Sequence, residues 1–252
     1  IARNPSIVAN KQYGLGVEYA DVKHIRDYFL DKSYRTESGR LAFYDVSYNV
    51  MTEVEDLLGE LDGQQFQTAL SDLWTSIEEL SKDPCSGVTQ GVFVQASAEF
   101  VERAQAVYDG LCNYQDNIND QIKQQVDKIN DYGKQIYELN QKITAIEAGK
   151  IEHANDYRDA RDKILDELAD LASISYFEDS FGAVAVQIEG VDFIKGSMLY
   201  EIALDRDADT GFYTPYWPYN VTYSQDPATG EQVMDISSAQ VWNLDREIST
   251  DA

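Results

Sequence analysis

Cysteine and histidine are nearly absent from this sequence. Its 252 residues contain two cysteines, Cys85 and Cys112, and two histidines, His24 and His153. Disulfide frameworks and zinc sites need several such side chains at set spacings, and a catalytic triad needs a histidine between an acid and a nucleophile. We therefore predict no metal site, no cofactor and no catalytic residue. We expect two free thiols, with a single Cys85–Cys112 bridge as the alternative.

Basic residues are also scarce. The chain has 20 lysines and arginines against 45 acidic residues, a formal net charge of −25. Nucleic acids and anionic membrane surfaces are bound through basic patches, so we predict neither as a partner. No apolar run approaches the roughly 18 residues of a membrane-spanning helix, and no secretory leader is visible. Because neither Ile1 nor Ala252 marks an evident structural end, we expect a fragment.

The longest helical pattern covers residues 94–148 and contains no proline. From Ile129 to Ile146 the apolar steps alternate between three and four, which is typical of a helix that packs along another helix. At about 1.5 Å per residue, such a helix would be on the order of 80 Å long. It therefore requires other long helices beside it.

Three further helical segments, at residues 19–61, 65–82 and 156–172, supply these partners. Ser38-Gly39 is the weak point of the first, because glycine inside a helix costs about 1 kcal/mol relative to alanine. A kink or brief break is expected there. Residues 62–65 form a capping-box pattern ahead of the second helix, which should end before Pro84.

We expect an extended chain over residues 1–18, with a glycine turn at 14–17. The period of the apolar residues changes to two after residue 171. We therefore predict an α+β fold. Residues 1–172 form an elongated antiparallel bundle of long helices after the extended segment. Residues 173–252 form a small, truncated antiparallel β-domain.

Three carboxylates at alternate positions, Asp205, Asp207 and Asp209, could bind calcium. The loop departs from the EF-hand pattern, because Gly211 falls one place late and Tyr216 replaces the final glutamate. The alternative, which we favour, is a polar hairpin loop, since Asp and Gly are common turn formers.

An aromatic cluster at residues 212–219 could be a sugar-stacking platform or a protein contact. We favour a rigid loop that packs onto its own small domain. The following Asn220-Val221-Thr222 is a glycosylation sequon, which matters only in a eukaryotic secretory pathway.

Three stretches in the chain, taken in order, resemble one family. They are residues 14–30 with the Gly-Leu-Gly-Val turn, residues 129–143 with Asn130 and Asn140, and residues 155–168, which begin Asn-Asp-Tyr-Arg. Together they are similar to the glycine turn, the asparagine-bearing part of the central helix and the next helix start of the bacterial flagellar hook-associated protein 1 family. The resemblance spans residues 10–205, whereas residues 206–240 do not align.

The resemblance implies a structural, non-enzymatic component of the bacterial flagellum that adapts hook to filament at their junction. The implied partners are copies of itself in a ring, the hook protein, hook-associated protein 3 and an export chaperone before secretion. The implied location is extracellular, after export through the flagellar type III pathway. The resemblance also implies that the terminal helical regions of the family lie outside this sequence. The alternative function is a secreted host- or glycan-binding module that uses the acidic, aromatic β-domain.

Overall fold

A computed structural model of the chain describes residues 6–8, 11–13, 27–58, 66–149, 153–225 and 232–241. Within them lie four α-helices: α1 Tyr28–Leu58, α2 Phe66–Lys82, α3 Gly87–Glu147 and α4 Asn155–Ala169. Short strands in small antiparallel sheets follow the helices, which confirms the predicted α+β class. Three features named from the sequence fall outside the described residues, namely the turn at 14–17, His24 and the capping box at 62–65.

Only a short turn separates α2 from α3. The residue before a proline is disfavoured in the helical conformation, and α2 ends before Pro84 as predicted. Helix α3 then begins at Gly87, earlier than the predicted start at residue 94. Ser86 accounts for the early start, because its Oγ accepts a hydrogen bond from the Val88 N–H at 3.3 Å, as an N-cap side chain does.

Helix α1 is continuous through Ser38-Gly39, so the predicted break is absent. A Cβ atom at Gly39 would lie 2.9 Å from the carbonyl oxygen of Ala169 on α4. Glycine at this position therefore allows the backbones of α1 and α4 to approach closely. Ser38 strengthens the same contact by donating a hydrogen bond to the carboxylate of Asp170.

Ten short strands are described, and most pair with a neighbour in sequence. Strands β1 Ser6–Val8 and β2 Lys11–Tyr13 form an antiparallel hairpin before α1. Strands β3 Ile174–Glu178, β4 Val184–Ile188, β5 Val191–Lys195 and β6 Met198–Leu199 pair in that order as an antiparallel sheet. Strand β7 Ala203–Arg206 pairs with β8 Tyr213–Tyr216, and β9 Thr222–Gln225 with β10 Gln232–Asp235.

The sequence pattern from Met198 to Leu204 predicts one strand, but β6 and β7 are separate there. Between them, the backbone of Ile202 pairs with the side chain of Asn130 on α3 and not with a neighbouring strand. An asparagine amide offers one acceptor and a donor group, so it can replace a strand partner at a single residue.

The described residues divide into two compact units. The first unit contains the described residues up to Gly39, within Gln125–Asp205 and from Thr214 onward. The second unit contains the described residues within Arg40–Gln124 and Arg206–Tyr213. Helices α1 and α3 each contribute to both units. This division differs from the predicted division into residues 1–172 and 173–252. The predicted division stays a prediction about how the two parts fold.

The core of the first unit is built from α3, α4 and the β3–β6 sheet. Its largest fully buried apolar side chains are Ile129, Ile136, Ile143, Leu165, Leu168, Val186, Ile188, Phe193, Ile194 and Trp217. The seam predicted on α3 is thus confirmed from Ile129 to Ile143, whereas Ile146 is exposed.

The apolar spacing predicts a buried face of α4 that contains Ala160, Ile164, Leu168 and Leu171. Leu168 is buried, but Ala160 is exposed and Ile164 and Leu171 are half-buried. Arg161 and Leu165 are buried in addition. A search for apolar periodicity does not place an arginine in a core. The arginine is tolerated there because several acceptors surround its guanidinium group.

In the second unit, α1 and α2 both pack against α3. A Cβ atom at Gly110 of α3 would lie 2.8 Å from the Leu57 side chain of α1. The rings of Phe66 on α2 and Phe100 on α3 have centroids 5.5 Å apart. The apolar steps of four and three from Phe66 to Leu80 predict a buried seam on α2. This seam is only partly buried, because two of its members, Leu70 and Ile77, are exposed.

Candidate interaction surface

The loop with Asp205, Asp207 and Asp209 contains a tight polar turn. Asp207 Oδ1 accepts hydrogen bonds from the N–H groups of Thr210 at 3.0 Å and Asp209 at 2.8 Å. These two hydrogen bonds lower the pKa of the Asp207 carboxyl below its ordinary value, and the bond from Thr210 has the larger effect. Gly211 has a φ of +75°, which glycine adopts readily. Within the described residues, no three His, Cys, Asp or Glu side chains form a group that could hold a metal.

The aromatic cluster at residues 212–219 is divided between the two units, and Trp217, in the first unit, is its buried member. Trp217 is 0% exposed, and its ring centroid lies 6.1 Å from that of Phe193. Tyr219 packs against Trp217 and donates its hydroxyl hydrogen to the Asp192 carbonyl oxygen at 3.1 Å. Because Trp217 is buried, its ring cannot serve as a sugar-stacking platform, whereas Phe212 and Tyr219 are exposed. The packed-loop interpretation is therefore supported for Trp217 and stays a prediction for the rest of the cluster.

The remaining chemistry-bearing side chains are dispersed. Cys85 is exposed and Cys112 half-buried, and both are free, so the alternative of a bridge between them is wrong. His153 lies with its Nδ1 atom 3.9 Å from a carboxylate oxygen of Glu147. None of the described helices has the length and apolarity needed to cross a membrane.

Two asparagines of α3 bind β-segments of the first unit through the backbone. Asn140 Nδ2 donates to the Val184 carbonyl oxygen at 2.8 Å, and its Oδ1 accepts from the Val184 N–H at 3.0 Å. Asn130 makes the same pair of hydrogen bonds with Ile202, both at 2.9 Å. Each amide satisfies two backbone groups that would otherwise lie against the helix without a partner.

Asn119 repeats this arrangement in the second unit. Its Nδ2 donates to the carbonyl oxygen of Gly211 at 3.0 Å, and its Oδ1 accepts from the Tyr213 N–H at 2.9 Å. The ammonium group of Lys123 lies over the Tyr213 ring, 4.6 Å from its centroid. Each of the three asparagines therefore holds one β-segment against α3. The later an asparagine lies in α3, the earlier in the chain is the β-segment that it binds.

Two arginines at the start of α4 form a dense polar cluster. Arg158 binds both carboxylate oxygens of Glu147, with its Nε at 2.8 Å and its Nη2 at 2.7 Å. This bidentate pairing with Arg158 lowers the pKa of Glu147 to about 2. Arg161 is 1% exposed and donates to Gly182 O, Asn140 Oδ1 and Glu178 Oε2 at 2.6, 3.1 and 2.9 Å. Burial lowers the pKa of Arg161, and the nearby Glu178 charge opposes that shift.

Arg35 connects α1 to α4 and β3. Its Nε donates to Asp166 Oδ1 at 2.7 Å and its Nη2 to the Asp162 carbonyl oxygen at 3.2 Å. The guanidinium carbon lies 4.5 Å from the centroid of the Tyr176 ring. This side of α1 therefore packs against the interior of the first unit.

In the second unit, one side of α1 carries a row of exposed apolar side chains. We call Leu41, Tyr44, Tyr48 and Met51 the outer α1 stripe. Their steps of three, four and three place them on one face of the helix. All four are exposed, Tyr48 at 72%. Apolar stripes with this spacing are typical of helices that pack along another helix.

A second exposed row follows α3 in the same unit. We call Gly91, Val94, Ala98 and Val101 the outer α3 stripe, which has the same steps of three, four and three. All four are exposed, Val94 at 64%. Apart from its chain neighbours and the nearby backbone of α3 itself, no atom lies within 4 Å of a Cβ placed at Gly91. The glycine therefore does not serve packing among the described residues.

Both stripes point away from the contact between α1 and α3. Leu57, which packs against α3, lies about 180° round α1 from Tyr48 at 100° per residue. Gly110, the matching contact on α3, lies about 180° round that helix from Val101. The second unit therefore presents two apolar stripes on faces opposite to its own interior, and these stripes form the candidate interaction surface.

A protein-family model described as the flagellar hook-associated protein FlgK helical domain matches residues 51–235. The match covers well over half of the chain and includes both the asparagine contacts and the arginine cluster. This chain belongs to the FlgK helical-domain family. The family model also extends past residue 205, where the resemblance in the sequence ends.

Curated relatives carry the corresponding protein name. Flagellar hook-associated protein 1 of Bacillus subtilis (strain 168) is 28% identical over 218 residues, which are 79% of this chain and 43% of that protein. Flagellar hook-associated protein 1 of Escherichia coli (strain K12) is 23% identical over 204 residues, 79% of this chain and 37% of that protein. The chain thus spans less than half the length of these relatives.

A solved structure supports the fold. The flagellar hook junction protein FlgK from Burkholderia pseudomallei matches with a TM-score of 0.62 and 19% identity, over 84% of this chain and 37% of that chain. At this level of identity the likeness shows a shared fold. The family resemblance predicted from the sequence is confirmed, whereas none of these relatives supports the host- or glycan-binding alternative.

Within the FlgK helical domain, two of the stretches that carry the resemblance prove to be docking elements. Asn130 and Asn140 bind β-segments, and Arg158 and Arg161 hold the start of α4. The outer stripes were not predicted, because a heptad pattern in a sequence does not distinguish a buried face from an exposed one. The sequence signal that points to the outer α3 stripe is the uncharged stretch at residues 84–98 in an otherwise highly charged chain.

Proposed function

We propose that this chain is part of a structural protein that adapts the flagellar hook to the filament at their junction. The observation that carries the proposal is the match of residues 51–235 to the FlgK helical domain. The names of the relatives, hook-associated protein 1 and hook junction protein, agree with this role. Because the chain covers less than half of those relatives, the role of the whole protein is inferred from this part.

The protein acts through contacts between subunits and catalyses no reaction. Its long helix α3 serves as a stiff spacer, and the asparagine amides of α3 hold the β-segments in a fixed register along it. The buried arginines fix α4 in the same way. A subunit that must transmit force between two different polymers benefits from such fixed geometry, because each contact surface is then held in one orientation.

The partners follow from this location. We propose that copies of the protein form a ring, with the hook protein on one side and hook-associated protein 3 on the other, after export with the help of a chaperone. Export through the flagellar type III pathway would leave the protein extracellular. This route requires an unfolded chain, which disfavours disulfides, and the two free cysteines agree with that requirement.

Deletion of the gene that encodes this chain tests the proposal. We expect cells that build hooks without attached filaments and that release unassembled filament protein into the medium. The complete gene supplied in trans should restore the filaments, and so should the same gene with the surface substitution Asn117→Ala. Normal filaments on the deletion strain would contradict a junction role.

A further inference from the structure

The first part of α1 has the reverse of the usual polarity. We call residues 28–38, all of which the structure describes, the α1 arm. Its single buried side chain is Arg35, which is 4% exposed. Its large apolar side chains are instead each more than half exposed, namely Tyr28, Phe29, Leu30 and Tyr34. Because burial of apolar surface is the main force that attaches a helix to a core, that force holds the arm only weakly.

An ion-pair cluster attaches the arm to α4. Arg35 Nε donates to Asp166 Oδ1 at 2.7 Å, and Arg35 Nη2 lies 3.8 Å from Asp162 Oδ1. The third nitrogen of the guanidinium group, Nη1, is buried without a hydrogen-bond partner among the described residues. The side chain of Asp166 is partly exposed, so water can solvate its carboxylate when the arm leaves. Such polar contacts are exchanged for contacts with water at a small net cost.

Polar groups also hold the two ends of the arm. At its start, Tyr28 donates its hydroxyl hydrogen to the Tyr176 carbonyl oxygen of β3 at 3.1 Å. At its end, Ser38 donates to the carboxylate of Asp170, just after α4. Among the described residues, none of the buried apolar side chains comes from the arm. The arm can therefore leave α4 and β3 without removing an apolar side chain from the core.

The Ser38-Gly39 pair at the end of the arm provides a place to bend. Glycine–serine pairs are common positions of sharp helix kinks, and glycine has a low helix propensity. A Cβ atom at Gly39 would lie 2.9 Å from the Ala169 carbonyl oxygen, and α1 is continuous while this contact is made. When the contact is lost, this weak point of α1 is left unsupported.

We propose that the α1 arm is a strap that opens away from α4 and β3 by bending at Ser38-Gly39. Arg35 is the latch that holds the strap closed. Hinges of this kind use a few small residues, and segments with few buried apolar contacts open at the lowest free-energy cost. The opening requires neither a second copy nor a place in a flagellum, so it does not depend on the proposed function.

Opening of the strap uncovers one edge of the β3–β6 sheet. Strand β3 pairs with β4 and is an outermost strand of this sheet. The closed arm binds the Tyr176 carbonyl oxygen of β3 through Tyr28, and the guanidinium carbon of Arg35 lies 4.5 Å from the centroid of the Tyr176 ring. Exposed edge strands pair readily with other strands, and proteins commonly cover them. The strap therefore regulates access to β3.

Native-state hydrogen exchange on the purified full-length protein tests the strap without any substitution. Mass spectrometry with electron-transfer fragmentation resolves single amides, and protection factors are compared in water and in about 1 M urea. A detached segment as short as the arm is not a stable helix, so its amides exchange whenever the strap opens. The buried α3 seam at residues 129–143 serves as the internal reference.

Amides of residues 32–38 should share one low protection factor, about 100-fold or more below that of the α3 seam. Urea should lower the protection of the seam several-fold but change that of the arm by less than about twofold. The difference arises because unfolding of the unit exposes a large surface, whereas opening of the strap exposes a small one.

Arg35→Gln tests the latch, and Lys32→Gln is the matched control. Both substitutions remove one positive charge from the arm, but the side chain of Lys32 is exposed. Arg35→Gln should lower the protection of residues 32–38 about tenfold. Lys32→Gln should change it by less than about twofold. Residues 41–58 should stay within about twofold in both variants, because the bend at Gly39 separates them from the arm.

Other results would overturn the proposal. Protection of the arm equal to that of the α3 seam, with the same response to urea, would show that the arm leaves only when the unit unfolds. Protection that rises steadily from residue 32 to residue 38 would show fraying of a helix end. Equal effects of Arg35→Gln and Lys32→Gln would contradict the latch, and an equal effect of Arg35→Gln on residues 41–58 would contradict the hinge. The deletion strain tests the junction role separately, so either proposal can fail without the other.

Discussion

The side-chain amide of Asn140 on α3 pairs with both backbone polar groups of Val184, the first residue of β4. Its Nδ2 donates to the Val184 carbonyl oxygen at 2.8 Å, and its Oδ1 accepts from the Val184 N–H at 3.0 Å. The same Oδ1 also accepts a hydrogen bond from Nη1 of the buried Arg161. One amide thus connects α3, α4 and the sheet, and the whole arrangement is buried.

Asn140→Ala should therefore lower the free energy of unfolding by about 3 kcal/mol, because it leaves Val184 and Arg161 with unsatisfied buried groups. Urea unfolding at neutral pH measures the loss. Asn117→Ala is the matched control, since Asn117 is exposed and accepts a hydrogen bond from Gln121 on the same helix. This control should change stability by less than about 0.5 kcal/mol. Equal effects of the two substitutions would contradict the docking role of Asn140.

The Glu147–Arg158 ion pair should make stability fall in acid. The pKa of Glu147 is lowered to about 2, so its contribution is present above the unfolded-state pKa of about 4.5. The contribution is lost as the pH falls from about 4.5 toward 2, because the unfolded chain then binds a proton that the folded chain does not. Above pH 5 it amounts to about 2 kcal/mol, and Glu147→Gln should remove it.

Urea unfolding at a series of pH values compares the two proteins. The stability difference between the unmodified chain and Glu147→Gln should be largest at pH 6–7 and should shrink steadily below about pH 4.5. A difference that does not change with pH would show that Glu147 contributes through shape and not through its charge.

Gly91→Ala and Gly133→Ala should change stability in opposite directions. Apart from its chain neighbours and the nearby backbone of α3 itself, a Cβ at Gly91 would meet no atom within 4 Å, so alanine should stabilise the isolated chain by about 1 kcal/mol through helix propensity. A Cβ at Gly133 would lie 2.4 Å from Phe193 Cζ and 2.9 Å from Leu199 Cδ1. Overpacking of this kind should destabilise the chain by about 1–3 kcal/mol. Thermal unfolding of both variants measures the signs, and the same sign for both would refute this account of α3 packing.

The loop at Asp205–Asp209 should not respond to calcium. Asp207 Oδ1 already accepts two backbone hydrogen bonds, and the described residues hold no group of three candidate ligands. The unfolding temperature should therefore be the same in millimolar calcium and in a chelator, and calorimetric titration should show no binding heat. Saturable heat that disappears in Asp207→Ala would reverse this assignment.

The helical part of the fold is well predicted by the sequence because the long apolar repeats are strong signals. The end of α2 before Pro84 and the apolar members of the α3 seam follow from local rules. Gly39 shows where local rules fail. Its intrinsic cost in a helix predicts a break, but the contact with Ala169 on a distant helix keeps α1 continuous.

The docking elements and the candidate surface were harder to predict. Arg161 looks like a surface residue until Gly182, Asn140 and Glu178 are placed around it, and all three are remote in sequence. The outer stripes differ from buried seams only in what lies opposite them. That information depends on tertiary packing, so it becomes available only with the structure.

Immunogold electron microscopy of intact flagella, with antibodies raised against this chain, tests the central claim most directly. The account predicts a single narrow band of label where the hook meets the filament, and no label on the hooks of the deletion strain. Label along the whole filament, on the cell body or nowhere on the flagellum would contradict the assignment of this chain to the hook–filament junction.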